Sequence, residues 1–191
     1  GVQIHGGHTG FGKQIWDVHY EVIPSVGSCV HFSIESPDGH EGFPGKVKAA
    51  ARFMLIDVGD HLLIEYFAET DKPTHVNLTN HSYWNLGGAG SGTVLDHLLT
   101  IHAQSYLELD EHQVPTGKML PVAGTPMDFR DRHAIGKRIE RTGGGYDHCY
   151  VLWTDEAPKQ PQDAAFLADP KSGRTLRVRT TQPGVQVYTA N

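Results

Sequence analysis

Apolar and polar residues alternate with a period of two in one short run after another, and this punctuated alternation most restricts how the chain can fold. Ile15, Asp17, Val18, His19 and Tyr20 lead into Val22, and Val30, Phe32 and Ile34 alternate with His31, Ser33 and Glu35. Such a period sends successive side chains to opposite faces of a half-buried strand. Further strands are expected at Val47 to Leu55, His61 to Glu69, His75 to Leu78, Leu98 to Ala103, Cys149 to Trp153, Ala165 to Ala168, Leu176 to Thr180 and Val185 to Thr189. Turn chemistry separates them at Pro37-Asp38-Gly39, Phe43-Pro44-Gly45, Val58-Gly59-Asp60, Pro115-Thr116-Gly117, Gly143-Gly144-Gly145 and Pro183-Gly184, within a chain that holds 22 Gly and 11 Pro. The one passage with a helical cast, Arg132 to Arg141, carries Gly136 in its interior, which weakens it. Ten or so short strands without amphipathic helices between them predict an all-β fold, a large antiparallel β-sandwich rather than a parallel α/β sheet. At 191 residues, with no repeat, low-complexity tract or long linker, the chain reads as a single domain over 1–191, with the stretch from Asp155 to Asp163 as an exposed loop.

Charge narrows the partners. The formal net charge is −6 and no Lys/Arg-rich block occurs, which excludes the electrostatic footprint of a nucleic-acid binder and favours a neutral or small ligand. No apolar run approaches the roughly 18 residues of a membrane span. The opening GVQIHGG lacks the charge-then-apolar order of a signal peptide. A soluble, cytoplasmic protein is expected, with a secreted or periplasmic one left open by whatever precedes Gly1. Cys29 and Cys149 stand far apart and form no CxxC, so they read as two buried thiols. The 13 His are scattered, and His5 with His8 or His97 with His102 have neither HExxH spacing nor a third ligand, so no metal site is expected.

Four segments spend polar, aromatic and glycine residues where a plain sandwich has no need of them. His5-Gly6-Gly7, followed by Gly10-Phe11 and Trp16, sets an imidazole beside glycines that let backbone approach a ligand. Asn77-Leu78-Thr79-Asn80-His81-Ser82-Tyr83-Trp84-Asn85 crowds amides and hydroxyls round one histidine beside two aromatics, a set that fixes a tautomer and flanks a pyranose. In Gly145-Tyr146-Asp147-His148 the carboxylate either accepts from two hydroxyls or caps a turn. The fourth, Thr180 to Thr189, is a turn flanked by the amides Gln182 and Gln186. Trp84 and Phe11 offer stacking faces, although an aromatic beside a strand is more often core.

Taken in order, IHGG with GF and W (His5 to Trp16), SPDGHEGFPG (Ser36 to Gly45), NLTNHSYWNL (Asn77 to Leu86), PTG (Pro115 to Gly117), GYDH (Gly145 to His148) and TTQPGVQVYTAN (Thr180 to Asn191) resemble the aldose 1-epimerase family, over essentially the whole chain. The resemblance implies a galactose mutarotase-like supersandwich whose cleft binds a free hexose and interconverts its α and β anomers without metal or organic cofactor. A carboxylate base removes the O1 proton, a histidine protonates the ring oxygen, the ring opens, and it recloses after rotation about C1–C2. By the same resemblance His81 is the general acid and His5 the second histidine on that part of the sugar. Asp147 binds ring hydroxyls, Gln186 contacts substrate or positions the base, and Asn80 is a further substrate-binding candidate. An imidazole of ordinary pKa near 6.5 gives and recovers a proton at neutral pH, which suits His81 to its part.

The resemblance also implies a chain lacking both ends of the supersandwich. The family's base glutamate follows the QPGVQ strand and its substrate arginine precedes HGG, and no segment here resembles either; Glu41, Glu108 and Glu111 lie outside any such motif. The 191 residues alone are therefore expected to be inactive. His40 stands where the family often has an acidic residue, Trp84 where Phe is common, and Ala190 where Gly is common. Two alternatives stay open: a non-catalytic carbohydrate-binding protein, and a hexose-6-phosphate 1-epimerase using the cluster Arg130, Arg132 and Arg138. The sequence indicates no partner protein and no oligomeric state.

Overall fold

A computed structural model describes residues 3–154, 156 and 158–190, and they form an all-β, antiparallel structure. The strands are β1 (Asp17–Ile23), β2 (Gly27–Ser36), β3 (Val47–Ile56), β4 (His61–Thr70), β5 (Leu98–Ile101), β6 (Ser105–Leu109), β7 (Pro115–Pro121), β8 (His133–Ala134), β9 (Asp147–Val151), β10 (Gln162–Ala168), β11 (Thr175–Thr180) and β12 (Gly184–Tyr188). They build three four-stranded sheets ordered β1-β2-β3-β4, β11-β10-β5-β8 and β12-β9-β6-β7. The chain divides into two compact units, Gly1–His81 with the first sheet and Ser82–Asn191 with the other two.

The first sheet is a meander with one apolar face and one mixed face, where Cys29, Met54, Leu63 and Phe67 lie among charged residues. Val18 pairs with Phe32, Phe32 with Ala51 and Ala51 with Tyr66, and the rows of Tyr20 (Val30, Phe53, Ile64) and Val22 (Ser28, Leu55, Leu62) share the apolar face. The opposite face carries His19, Glu21, His31, Arg52 and Glu65, with Glu65 paired to Arg52 and Glu21 lying 3.6 Å from His31. On the apolar face Ala49 and Ala51 are buried, yet Val18, Tyr20, Val22 and Leu55 are each more than half exposed.

In the second unit the sheets close on each other. Leu99, Ile101 and Ala165 of one face Tyr106, Tyr150, Val185 and Val187 of the other, and Val122, Met127 and Phe129 fill the connection. Tyr146 and Tyr150 are fully buried, and each hydroxyl donates to a main-chain carbonyl, of Pro126 at 3.2 Å and of Met127 at 3.1 Å. Each bond of that kind contributes about 1 kcal/mol net, and losing one would strand a buried polar atom. Phe129 stacks on His133 and meets Tyr146 edge-on, its ring centroids 4.5 and 5.1 Å from theirs.

Three expectations need correction, and strand β6 was not foreseen. His75 to Leu78 forms no strand; residues 73–85 belong to no strand, and alternation alone does not make one. Pro115-Thr116-Gly117 is not a turn but the start of β7, an edge strand, where Pro and Gly are tolerated. β6 escaped notice because each of its residues is half-buried, which erases the polar-apolar contrast. The helical passage is a 3-10 helix, Ile135–Thr142, beginning only after His133 and Ala134 have paired with β5; Gly136 fits there because its amide donates to Leu95 O at 2.8 Å and a Cβ would sit 3.0 Å from that of Leu95. Of the Asp155 to Asp163 loop, Asp155 and Ala157 lie outside the described residues, and Gln162 already belongs to β10; Asn191 of the last motif lies outside them as well.

An exposed apolar sheet face of this breadth favours association. The 191-residue chain is expected to sediment as a mixture of species, and a double change in one cross-strand row, Val22→Lys with Leu62→Glu, should shift it towards the monomer. Equal association of the variant and the parent by sedimentation velocity would acquit this face.

Candidate functional site

In the first unit the geometry begins with a tight loop. Gly7 N–H donates to Ile4 O at 3.0 Å, and His5 holds a left-handed φ of 55°, uncommon for a residue with a side chain. The chain then enters a 3-10 helix, Phe11–Lys13, fastened by Trp16 Nε1 donating to Phe11 O at 2.9 Å, with the two rings edge-on. His5 and His81 come together from the two ends of the unit, their ring centroids 5.3 Å apart and their planes at 65°. Both rings are exposed, as is Asn80 beside His81. The pair expected from HGG and NHSYW is thus assembled, although neither residue lies on a strand.

In the second unit Asp147 and Gln186 take their places from the β9–β12 register. Tyr188 pairs with Asp147 and Gln186 with Cys149, so these side chains share the face turned from the core, while His148, Tyr150, Val185 and Val187 point inward. Gln186 Nε2 donates to Asp147 Oδ1 at 2.7 Å, leaving Oδ2 and the amide oxygen as further acceptors. Tyr83 lies 6.0 Å from Tyr188 on ring centroids. A cavity of about 570 Å³ opens beside Asp147, His148 and Tyr188, walled by Gly143, Gly144 and Gly145 and by β6, and its size falls within the span of small-molecule pockets, roughly 300–1,000 Å³. Burial lowers the pKa of His148, whose Nδ1 accepts the Asp147 amide at 3.1 Å.

Other expected residues serve the scaffold. Asn85 braces its own loop: its amide spans to Gly92 O, and its Oδ1 accepts from Gly87 N–H and Ser91 Oγ. The arginines proposed for a phosphate are already engaged within the protein. Arg130 is held by Asp128 and Gln104, Arg138 by Asp128 O and His133, and Arg132 lies over the Phe166 ring. Arg130 holds the Asp128 carboxyl down at about 2. Sequence reasoning missed Tyr83 and Tyr188 as a pair, and it missed what surrounds Glu41, whose partners are distant in sequence. Alternation in Val185 to Tyr188 already signalled that Gln186 and Tyr188 point the same way.

The aldose 1-epimerase family model matches residues 1–191. The chain belongs to that family. It is 42% identical over 190 residues to galactose mutarotase of Sus scrofa, covering 98% of this chain and 52% of that protein. Against aldose 1-epimerase of Escherichia coli (strain K12) it is 37% identical over 194 residues, covering 99% and 54%. Among solved structures, the GalM/aldose epimerase homologue from C. elegans superposes with a TM-score of 0.82 at 31% identity, over 97% of this chain and 55% of that one. The chain spans about half the length of the curated relatives it matches. This likeness agrees with the all-β sandwich class read from the alternation.

The His148 imidazole gives the second unit a pH dependence of known sign. Burial favours its neutral form, as it does for His133, so their contribution is complete above the unfolded histidine pKa of about 6.5 and is lost as pH falls through the lower folded value. The thermal midpoint should fall between pH of about 7.5 and about 5, and less so in His148→Asn, whose amide oxygen accepts the Asp147 N–H without titrating. An identical fall in that variant would assign the effect elsewhere.

Proposed function

We propose that this chain carries the acid and hydroxyl-binding groups of an aldose 1-epimerase acting on a free hexose such as galactose or glucose. The observation that carries the reading is the meeting of the His5 and His81 rings at 5.3 Å, in a chain matched along residues 1–191 to that family. His81 protonates the ring oxygen O5 while a carboxylate base takes the O1 proton. The C1–O5 bond breaks to give the open-chain aldehyde, C1 turns about C1–C2, and O5 re-adds to the other face as both protons return. His5, beside His81, orients the reacting end of the sugar. Asp147 and Gln186 accept and donate to ring hydroxyls, Asp147 as the charged and stronger acceptor. Asn80 supplies a further amide to the substrate.

No carboxylate of the chain lies in a segment resembling the family's base motif. Glu41 is engaged by Thr9, and Glu108 by Thr116 and Lys118, which lower its pKa as hydrogen-bond donors. The base is therefore assigned to no residue among the 191. Nothing in the arginine arrangement favours a phosphorylated sugar.

Polarimetry of freshly dissolved α-D-galactose tests the reading, using the chain alone and the chain joined to the flanking segments of a full-length relative. The joined form should accelerate mutarotation and the chain alone should not. His81→Asn in the joined form should lower turnover by about 10²–10⁴-fold with the fold intact by circular dichroism, the range expected for one positioned proton donor. Full activity in that variant removes His81 from the mechanism, and no acceleration by the joined form leaves only sugar binding.

A further inference from the structure

Of the paired glycines after His5, Gly7 approaches the protein's own carboxylate. A Cβ on Gly7, whose φ is 102°, would overlap Glu41 Oε2 and Gln3 Nε2, and one on Gly10 would overlap the carbonyl oxygen of His5. The loop from Gln3 to Gly10 is wrapped round Glu41. Thr9 N–H donates to Glu41 Oε1 at 2.5 Å and the Thr9 hydroxyl donates to the same oxygen; Gln3 Nε2 donates to Glu41 O at 3.2 Å and to Oε2 at 3.3 Å. The Thr9 hydroxyl and then the Thr9 amide hold the carboxyl below its usual range, so it is ionised at neutral pH.

The carboxylate is itself presented from a fixed base. Glu41 has a left-handed φ of 51° within the turn His40–Gly42, between Gly39 and Gly42, which are also left-handed. Strained non-glycine backbone of this kind persists only where the surroundings over-determine it, and it concentrates at functional positions. Here two such residues, His5 and Glu41, sit on facing loops. The turn is tied to the sheet through His40: Thr9 Oγ1, whose hydrogen is directed at Glu41, accepts from His40 Nε2 at 3.1 Å, and the His40 Nδ1 left as acceptor takes the hydroxyl of Ser36, buried at the end of β2, at 2.9 Å. A directed line of hydrogen bonds therefore runs from the sheet to the loop that bears His5.

We propose that Glu41 is a positioning residue whose carboxylate replaces the hydrogen bonds the His5 loop lacks and so holds the His5 ring against His81. Its bearing on catalysis rests on the mutarotase reading, whereas the positioning itself does not.

Proton NMR of the 191-residue chain separates the two. In the parent, nuclear Overhauser contacts between the ring protons of His5 and His81 are expected. Glu41→Ala should abolish them while leaving the ring signals of His133 and His148, in the other unit, in place. Gly7→Ala, which pushes the carboxylate away by adding one methyl group, should do the same. Glu41→Gln keeps an acceptor oxygen for Thr9 and should retain the contact, with the Thr9 amide exchanging about tenfold faster as the charge-assisted bond weakens. Persistence of the His5–His81 contact in Glu41→Ala and Gly7→Ala overturns the proposal; should Glu41→Ala disturb His133 and His148 as well, wild-type exchange of the Thr9 amide in Glu41→Gln overturns it. In the joined, active form Glu41→Ala should lower kcat by about 10–100-fold with little change in KM, and Glu41→Gln should restore most of it. An inactive joined parent would count against the mutarotase reading alone, since the ring contacts report on Glu41 without turnover.

Discussion

The antiparallel pairing of Gly184–Tyr188 with Asp147–Val151 is the constraint on which the second unit and its polar face depend. A slip by one residue would turn every side chain of β12 to the opposite face. Val185 and Val187 would leave the core, and Gln186 would be driven into it with its amide unpaired. Register is therefore held by hydrophobic burial on one side, and the 2.7 Å bond between Gln186 and Asp147 on the other side is a consequence of it. Gly184 seals the start of the pairing: a Cβ there would lie 3.0 Å from Cys149 Sγ and 3.2 Å from Tyr150 O. At the far end Thr189 closes the ladder, its amide donating to Tyr146 O and its hydroxyl accepting from Tyr146 N–H, each at 3.0 Å. Asp147 is thus set between two buried tyrosines and their carbonyl partners, which fixes its backbone while its carboxylate remains outside.

The two units solve the same problem of burial differently. In the second, two sheets bury one another and the tyrosine hydroxyls find carbonyls. In the first, a single sheet buries Ala49 and Ala51 on its apolar face and leaves Val18, Tyr20, Val22 and Leu62 of the edge strands exposed. The opposite face is stabilised only modestly by its ion pairs, because Arg52 with Glu65 and His31 with Glu21 are about a third to a half exposed to water. Its fixed points are at the rim instead: Asp38 accepts the Gly45 amide at 2.6 Å and meets Lys72, and Ser36 anchors His40.

How far the sequence could be read follows from which forces leave a local trace. Alternation marked β2, β3, β4 and β12 well because each has one face more buried than the other, or a row of apolar residues at every second place. It failed for β6, half-buried throughout, and misled at His75 to Leu78, because a ladder needs a partner edge that no local pattern encodes. The resemblance carried over through His5, His81, Asp147 and Gln186 found two real juxtapositions, His5 with His81 and Asp147 with Gln186. The glycines after His5 were legible as a place of close approach, but not that Gly7 approaches Glu41, which is more than thirty residues away. Tyr83 and Tyr188 went unread for the same reason.

The residues assigned to acid chemistry and those assigned to hydroxyl recognition stand on different kinds of backbone, and the difference has a physical logic. Asp147 and Gln186 are on paired strands, where ladder hydrogen bonds and a buried face hold position without extra devices. His5 and His81 are on irregular segments, where side chains are freer and precise placement must come from elsewhere. For His5 it comes from a left-handed backbone, two crowded glycines and an ionised carboxylate with both oxygens engaged. Such a loop is stiff only while its clamp is intact. A hexose hydroxyl meeting Asp147 would find a site already set, whereas the placement of the His5 ring depends on a network of side-chain hydrogen bonds that includes Thr9, Ser36, His40 and Glu41. Loss of any one of these partners loosens the proposed acid end of the machinery without touching a group that would contact the sugar.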